Sequence, residues 1–156
     1  MQQNLNFIHP SLPSPPGSSH LKLLDYACGT GMISRALVPY VSSIQALDLS
    51  IKMAERYNEL AAASEIPSVK AAHAIEGNLL ADAAPSAELS GSELRDFDIV
   101  AVGAGLHHFQ DPARAIGRLA ERLKPGGVLL IVDFVEEEQG WLPSGADHTI
   151  HKYGFS

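Results

Sequence analysis

Cysteine, aromatic side chains and positive charge are all scarce in this chain. Cys28 is the one cysteine among 156 residues, which excludes an intramolecular disulfide and fits a reducing compartment, so the expected location is cytoplasmic. Lys and Arg number 11 against 18 Asp and Glu, a formal net charge of −7. That balance argues against a protein whose work is gripping phosphate backbones, and nucleic acid is not an expected partner. Long apolar runs are missing too. The longest nearly uninterrupted stretch, Val128 to Val135, contains Asp133 and is far too short to span a bilayer. Met1-Gln2-Gln3-Asn4 carries no basic region, so no secretory signal is read there. No internal repeat and no heptad pattern is visible. What is present is a globular composition, 46% hydrophobic and 19% charged. The length is that of one domain, at roughly 100–200 residues each, and suffices for a real core.

Residues 1–20, with Pro10, Pro13, Pro15 and Pro16 among Ser and Gly, read as a mobile leader, and 21–156 as the folded domain. Leu21 to Tyr26 is a short apolar run that ends in a glycine-bearing turn, Cys28-Gly29-Thr30-Gly31, and reads as a buried strand. A helix is expected from Met32 to about Val38, ended by Pro39. Ile44 to Leu47 is a second strand, stopped by Asp48. Ser50 is placed to cap a helix to about Ala63, with Met53, Tyr57 and Leu60 at helical spacing. Lys70 to Ile75 reads as a third strand, 81–95 as a loop with a short helix, and Phe97 to Val102 as a fourth strand. Asp111-Pro112 is a helix start, with Ile116, Leu119 and Leu123 on one face. Lys124-Pro125-Gly126-Gly127 reads as a turn, and Val128 to Val132 as a fifth strand. Strands alternating with helices imply right-handed crossovers and a mostly parallel, doubly wound α/β sheet. In such sheets ligands bind beyond the carboxyl ends of the strands.

Three loops then share that edge: Asp25 to Gly31, Asp48 with Leu49, and Gly103 to His108, joined by Gly77 to Leu79. Gly29 and Gly31 let a backbone approach a ligand closely. Asp48, 17 residues after Gly31, closes the second strand, where a carboxylate can accept both hydroxyls of a ribose. A nicotinamide reading competes. Its fingerprint has Gly or Ala at a third small position, and here that position is Ser34. It also cradles a pyrophosphate, which Asp25 would repel; beside a cationic ligand the same carboxylate is favourable. S-adenosylmethionine, with a sulfonium, an ammonium, a ribose and an adenine but no phosphate, suits these residues better.

Leu24-Asp25-Tyr26-Ala27-Cys28-Gly29-Thr30-Gly31 resembles motif I of the class I S-adenosylmethionine-dependent methyltransferases. Ala46 to Ser50 with Met53 resembles their second motif; Phe97 to Val100, Leu106 to Phe109 and Asp111-Pro112 look like motif IV; Leu123 to Gly127 looks like motif V. Order and spacing resemble the branch that includes the ubiquinone and menaquinone biosynthesis methyltransferases. The resemblance covers about residues 21–135 and implies a Rossmann-like sheet of order 3-2-1-4-5, here lacking the usual last two strands. It implies that Ala27, Gly29 and Gly31 line the methionine and ribose, that Asp25 favours the positive end of the ligand through water, and that Asp48 holds the ribose. Leu49 and Met53 would pack on adenine, Asn78 and Leu79 would sit at its edge, and Gly103, Ala104 and Gly105 would run beneath the methionine. Position 27 is Ala where the family often has Gly, and position 78 is Asn where it usually has Asp.

The activity so implied is methyl transfer to a small organic acceptor. An acceptor with a proton to lose needs a base, and His107 and His108 lie on the motif IV loop where one would sit. They serve equally as loop residues that shape the pocket. His148 and His151 read as solvent-exposed, Glu136 to Glu138 as a solvated stretch, and Trp141 as a pocket aromatic or an edge-packing residue. No Cys pair and no H-E-x-x-H is present, so no metal is expected. Relative to the family the chain looks truncated, which would leave 128–132 as an open apolar edge for a second copy or another partner. The alternative function is therefore a non-catalytic relative that binds the cofactor or pairs through that edge.

Overall fold

The computed structural model describes residues 20–81 and 87–133, together with Ile8. The expected leader, Glu136 to Glu138, Trp141, His148 and His151 lie outside the described residues. Five strands form one sheet: β1 (Lys22–Tyr26), β2 (Ser43–Asp48), β3 (His73–Glu76), β4 (Phe97–Gly103) and β5 (Leu123–Val132). Every pairing is parallel and the order is β3-β2-β1-β4-β5. The chain winds outward from β1 through β2 to β3, then crosses to the other side for β4 and β5. β1 thus sits at the reversal of strand order, where a crevice opens at the carboxyl edge.

Alternation along β1 explains the two layers. Leu23 points to one face and Leu24 and Tyr26 to the other, all at 4% exposure or less. On the first face Leu23, Ile44, Ala46, Ile99 and Ala101 pack with α1 (Met32–Leu37) and α2 (Ile51–Ala62), through Ile33, Leu37, Ala54, Tyr57 and Ala61. On the second, Leu24, Tyr26, Leu47, Val100 and Val102 pack with Leu94, Leu106, Ala115 and Leu119, the last two from α5 (Pro112–Ala120). Between α2 and α5 lie two shorter helices, α3 (Pro67–Lys70) and α4 (Ala87–Ser90).

Several local expectations are revised. Pro39 does not end the chain's helical path: α1 stops at Leu37 and Val38–Tyr40 continues as a 3-10 turn with Pro39 in its first positions, where no donor is required of it. Ser50 precedes α2 without a side-chain cap, and its N–H is held by Asp48 Oδ1 at 2.9 Å. Met53 shares helical spacing with buried Tyr57 but is 44% exposed. Lys70 ends α3 instead of starting β3. Lys124 to Gly127 lies within β5, as an irregularity: Phe97 pairs with Leu123 and Ile99 with Val128, so the Pro-Gly-Gly stretch is extra length against β4. Gly126, at φ 80°, makes that excursion possible. The Asp111 helix start is as expected, its Oδ1 accepting Arg114 N–H at 2.9 Å.

Two buried charges pin the far parts of the sheet. Asp98 at the start of β4 accepts Lys22 N–H at 2.9 Å and pairs with Lys124. Arg122, 7% exposed, donates to Leu89 O and Leu94 O at 3.1 and 3.3 Å and so ties the α4 region to the approach to β5.

Candidate functional site

The loop after β1 is held on both sides. Cys28 N–H donates to Leu47 O at 3.0 Å and Gly31 N–H to Cys28 O at 2.8 Å. Asp48, the last residue of β2, accepts Gly29 N–H on Oδ2 at 2.8 Å. Its other oxygen holds Ser50 N–H, and its carbonyl accepts Gly77 N–H at 2.9 Å. One carboxylate at a strand end therefore ties the loop after β1 to the start of α2. The loop after β4 joins them. Ala104 N–H donates to Val132 O at 2.7 Å, and a Cβ built on Gly105 would lie 3.1 Å from the Ala27 Cβ.

Backbone conformation concentrates at these loops. Ala27, Gly29, Gly31 and Ala104 all take positive φ, between 50° and 87°. For alanine that region costs on the order of 1 kcal/mol, and both alanines sit at the meeting of the two loops. A Cβ on Gly29 would meet nothing within 4 Å, so the space above it is open. A Cβ on Gly31 would strike the Tyr57 ring at 2.8 Å, and one on Gly103 would strike Ile33 Cγ1 at 2.5 Å. Gly29 is thus favoured by conformation alone, Gly31 by conformation and by its neighbours, and Gly103 by its neighbours.

Large apolar side chains stand exposed at this edge. Leu49 is 67%, Met32 50% and Met53 44% exposed. Leu79 is different: it is 3% exposed and belongs to the second core layer, so at an adenine edge it would offer only backbone. Asn78 is half-buried and its Oδ1 accepts Leu80 N–H at 2.8 Å and Tyr26 OH at 3.4 Å, an internal turn-closing role.

Asp25 is not on the open face. It alternates to the α1 side with Leu23 and is 1% exposed. Its Oδ2 accepts Ser34 OH at 2.6 Å and Ser34 N–H at 3.0 Å, and Tyr57 OH donates to Ser34 Oγ at 2.9 Å. Any pull of Asp25 on a positive ligand must act through the protein, and its direct work is to lock α1 and α2 onto the loop. Burial pushes its carboxyl up from 3.8 to about 6, against the Ser34 hydrogen bonds and Arg35, which pull it down, and with Asp48, which raises it. A carboxyl raised on folding takes up a proton in the native state. Its contribution is greatest below pH 4 and is lost as pH rises through about 6, a change of roughly 2–3 kcal/mol. Relative to Asp25→Asn, which has no such proton to lose, the parent should become less stable by that amount between acid and neutral pH. Urea melts of both proteins across this window check it, and parallel curves would contradict it.

His107 and His108 form a 3-10 turn with Leu106 just after β4. Their rings stack at 4.0 Å between centroids, tilted by 46°. Sequence reasoning missed Asp133, one residue past β5, whose Oδ1 lies 2.6 Å from His107 Nδ1. Cys28 is buried, and burial pushes its thiol up, away from the reactive thiolate. A cavity of about 320 Å³ lies between α1 and α2, lined by Gly31, Ser34, Tyr57 and Leu60 among others. It borders the loop after β1 at Thr30 and Gly31 but is lined by none of Asp48, Leu49, Met53 or His107.

A single parallel sheet of this order, with loops after β1, β2 and β4 gathered at one edge, defines a Rossmann-like methyltransferase fold. Residues 1–151 match the family described as a methyltransferase domain, and the chain belongs to that family, among the class I S-adenosylmethionine-dependent methyltransferases. It is 33% identical over 121 residues to an uncharacterised methyltransferase of Schizosaccharomyces pombe, covering 76% of this chain and 40% of that one. It is 30% identical over 137 residues to a demethylmenaquinone methyltransferase of Leptospira interrogans, covering 86% of this chain and 51% of that one. Among solved structures, the YcgJ protein of Bacillus subtilis superposes with a TM-score of 0.64 at 22% identity, over 88% of this chain and 53% of that one, a likeness of fold. The chain spans about half or less of the length of these curated relatives. Among the described residues no helix is long and apolar enough to cross a membrane, and no group of three or more His, Cys, Asp and Glu is placed to hold a metal.

Proposed function

We propose that the chain binds S-adenosylmethionine across the loops after β1, β2 and β4 and supports transfer of its methyl group to a small organic acceptor. The observation that carries this reading is Asp48: a carboxylate at the end of β2, tied to Gly29 N–H, beside exposed Leu49 and Met53. The fit is chemical. A carboxylate suits a pair of ribose hydroxyls, and two half-exposed or more exposed apolar side chains suit the faces of a base. Ala27, Gly29 and Gly31 would bound the ribose and methionine, Gly103 to Gly105 would lie beneath the methionine, and Asn78 and Leu79 would border the base. When bound, the cofactor supplies an electrophilic methyl carbon on a sulfonium that departs as a neutral thioether. The chain's own residues would align the acceptor with that carbon, and His107 or His108 would receive the acceptor's proton.

The nicotinamide reading loses support at Ser34. Its side chain is 1% exposed and bonded to Asp25, at the position where the dinucleotide fingerprint has Gly or Ala to pack the helix close to the strand. Calorimetric titration separates the two: saturable binding of adenosylmethionine with none of NAD is expected, and the reverse contradicts the reading. Self-association is a further part of the proposal. Among the described residues β5 pairs with β4 alone, and Val132 is 46% exposed. Light scattering should show mass rising with concentration, and a monomer throughout would remove this part.

A further inference from the structure

We propose that the cavity between α1 and α2 is a second ligand site, which takes a small carboxylate carrying an aromatic body. Its volume, about 320 Å³, falls in the range of small-molecule pockets, roughly 300–1,000 Å³. Of the residues assigned to the nucleoside, it touches Gly31 alone, so the site stands independently of the methyltransferase reading.

The floor is apolar, and the hydroxyls within it are already bonded. Tyr57, Ala61 and Val69 are buried there, and Leu60 is half-buried beside them. Ser34 OH donates to Asp25 Oδ2 at 2.6 Å and Tyr57 OH to Ser34 Oγ at 2.9 Å, so both hydroxyl hydrogens are used. What remains for a ligand is ring and methyl surface, which suits a flat apolar body. Gly31 keeps the space open: a Cβ there would lie 2.8 Å from Tyr57 Cε2 and 3.4 Å from Arg35 Nη1. The ring, the guanidinium and the loop after β1 therefore converge.

The rim supplies the charge. Thr30 and Arg35 are exposed, and among the described residues Arg35 is the only charged group on the lining. Asp25 sits behind Ser34 and does not line the cavity. Arg35 Nη1 donates to Thr30 O, which steadies the guanidinium at the mouth. The rest of its N–H fork has no hydrogen-bonding partner among the described residues. An open fork beside an apolar hollow matches a carboxylate on the two prongs with the ligand's body on the floor. A cation would be repelled there, and an uncharged ligand would leave the fork to water.

The test uses the full chain, ¹⁵N-labelled, at pH 7 without cofactor, and three probes of one shape: 3-(2-naphthyl)propanoate, its amide, and 3-(2-naphthyl)propylammonium. The carboxylate should give saturable amide shifts at Leu60, Ala61, Ser64 and Val69, with Leu49, Met53 and Gly103 still. It should bind about tenfold or more tightly than the amide or the ammonium. Arg35→Gln should weaken the carboxylate about tenfold and change the amide by less than about twofold. Ala61→Leu, which puts a larger apolar side chain into the floor, should abolish the shifts. Equal affinity for the three probes, shifts that do not saturate, or shifts confined to Leu49, Met53 and Gly103 overturn the proposal. The wild-type series decides even if a variant does not fold. Because no adenosylmethionine is present, failure here leaves the methyltransferase reading standing, and failure of that reading leaves this site standing.

Discussion

Asp48→Ala is expected to weaken adenosylmethionine binding about a thousandfold, on the order of 4 kcal/mol. Two effects add. The carboxylate would accept both ribose hydroxyls, and hydrogen bonds to a charged acceptor are worth about 1.5–3 kcal/mol each. The same group also holds Gly29 N–H at 2.8 Å and Ser50 N–H at 2.9 Å, so alanine loosens the loop that the ligand would meet. Asp48→Asn separates the two. Its side-chain oxygen can still accept Gly29 N–H, but it cannot accept at both positions, so its affinity should fall between parent and alanine variant. Calorimetry on the three proteins checks the order. An alanine variant that binds as tightly as the parent would remove Asp48 from the site.

Gly31→Val is expected to cost about 4 kcal/mol of folding stability. Gly31 sits at φ 87°, where a β-branched residue is strongly disfavoured. A Cβ there would also lie 2.8 Å from the Tyr57 ring. That ring is not at liberty to swing aside, because Tyr57 OH donates to Ser34 Oγ and Ser34 in turn holds Asp25. The clash therefore spreads through the buried set that joins β1, α1 and α2. Gly117 provides the contrast within one molecule. It lies in α5, its φ is ordinary, and a Cβ on it would meet nothing within 4 Å. Gly117→Ala should raise stability by about 0.5–1 kcal/mol through helix propensity. Chemical denaturation of both variants tests the pair, and a Gly31→Val protein as stable as its parent would show that the loop does not need its left-handed turn.

The architecture was legible because β1 and β4 are buried on both faces and read as short apolar runs closed by Gly or Asp. The loop residues were legible because chemistry at a strand end depends on a few residue types at fixed offsets. What the sequence did not disclose depended on partners distant along the chain. Asp25 suits a positive ligand by its charge and its place at a strand end; strand alternation puts it on the α1 side, but only packing shows that Ser34 is its direct partner. The Lys-Pro-Gly-Gly stretch has turn composition, yet it joins β5 as an irregularity, and a Cβ on Gly127 would lie 2.8 Å from Phe97 O. Leu79 and Met53 illustrate the reverse limits of hydrophobic pattern: one apolar side chain beside the site is core, and the other, spaced like core, stands exposed. Asp133 sits one residue past a strand with no motif around it, and only the β4–β5 pairing brings it to His107.

The central claim is that the edge closed by Asp48 receives an adenosyl nucleoside. Backbone amide spectra of the labelled chain, recorded while adenosylmethionine is added, test it most directly. Saturable shifts are expected at Gly29, Leu49, Met53 and Gly103, with the far edge at Asp98 and Lys124 still. Amides of the loop edge that stay fixed while Leu60, Ala61, Ser64 and Val69 move would place the ligand in the cavity between α1 and α2 and contradict the claim.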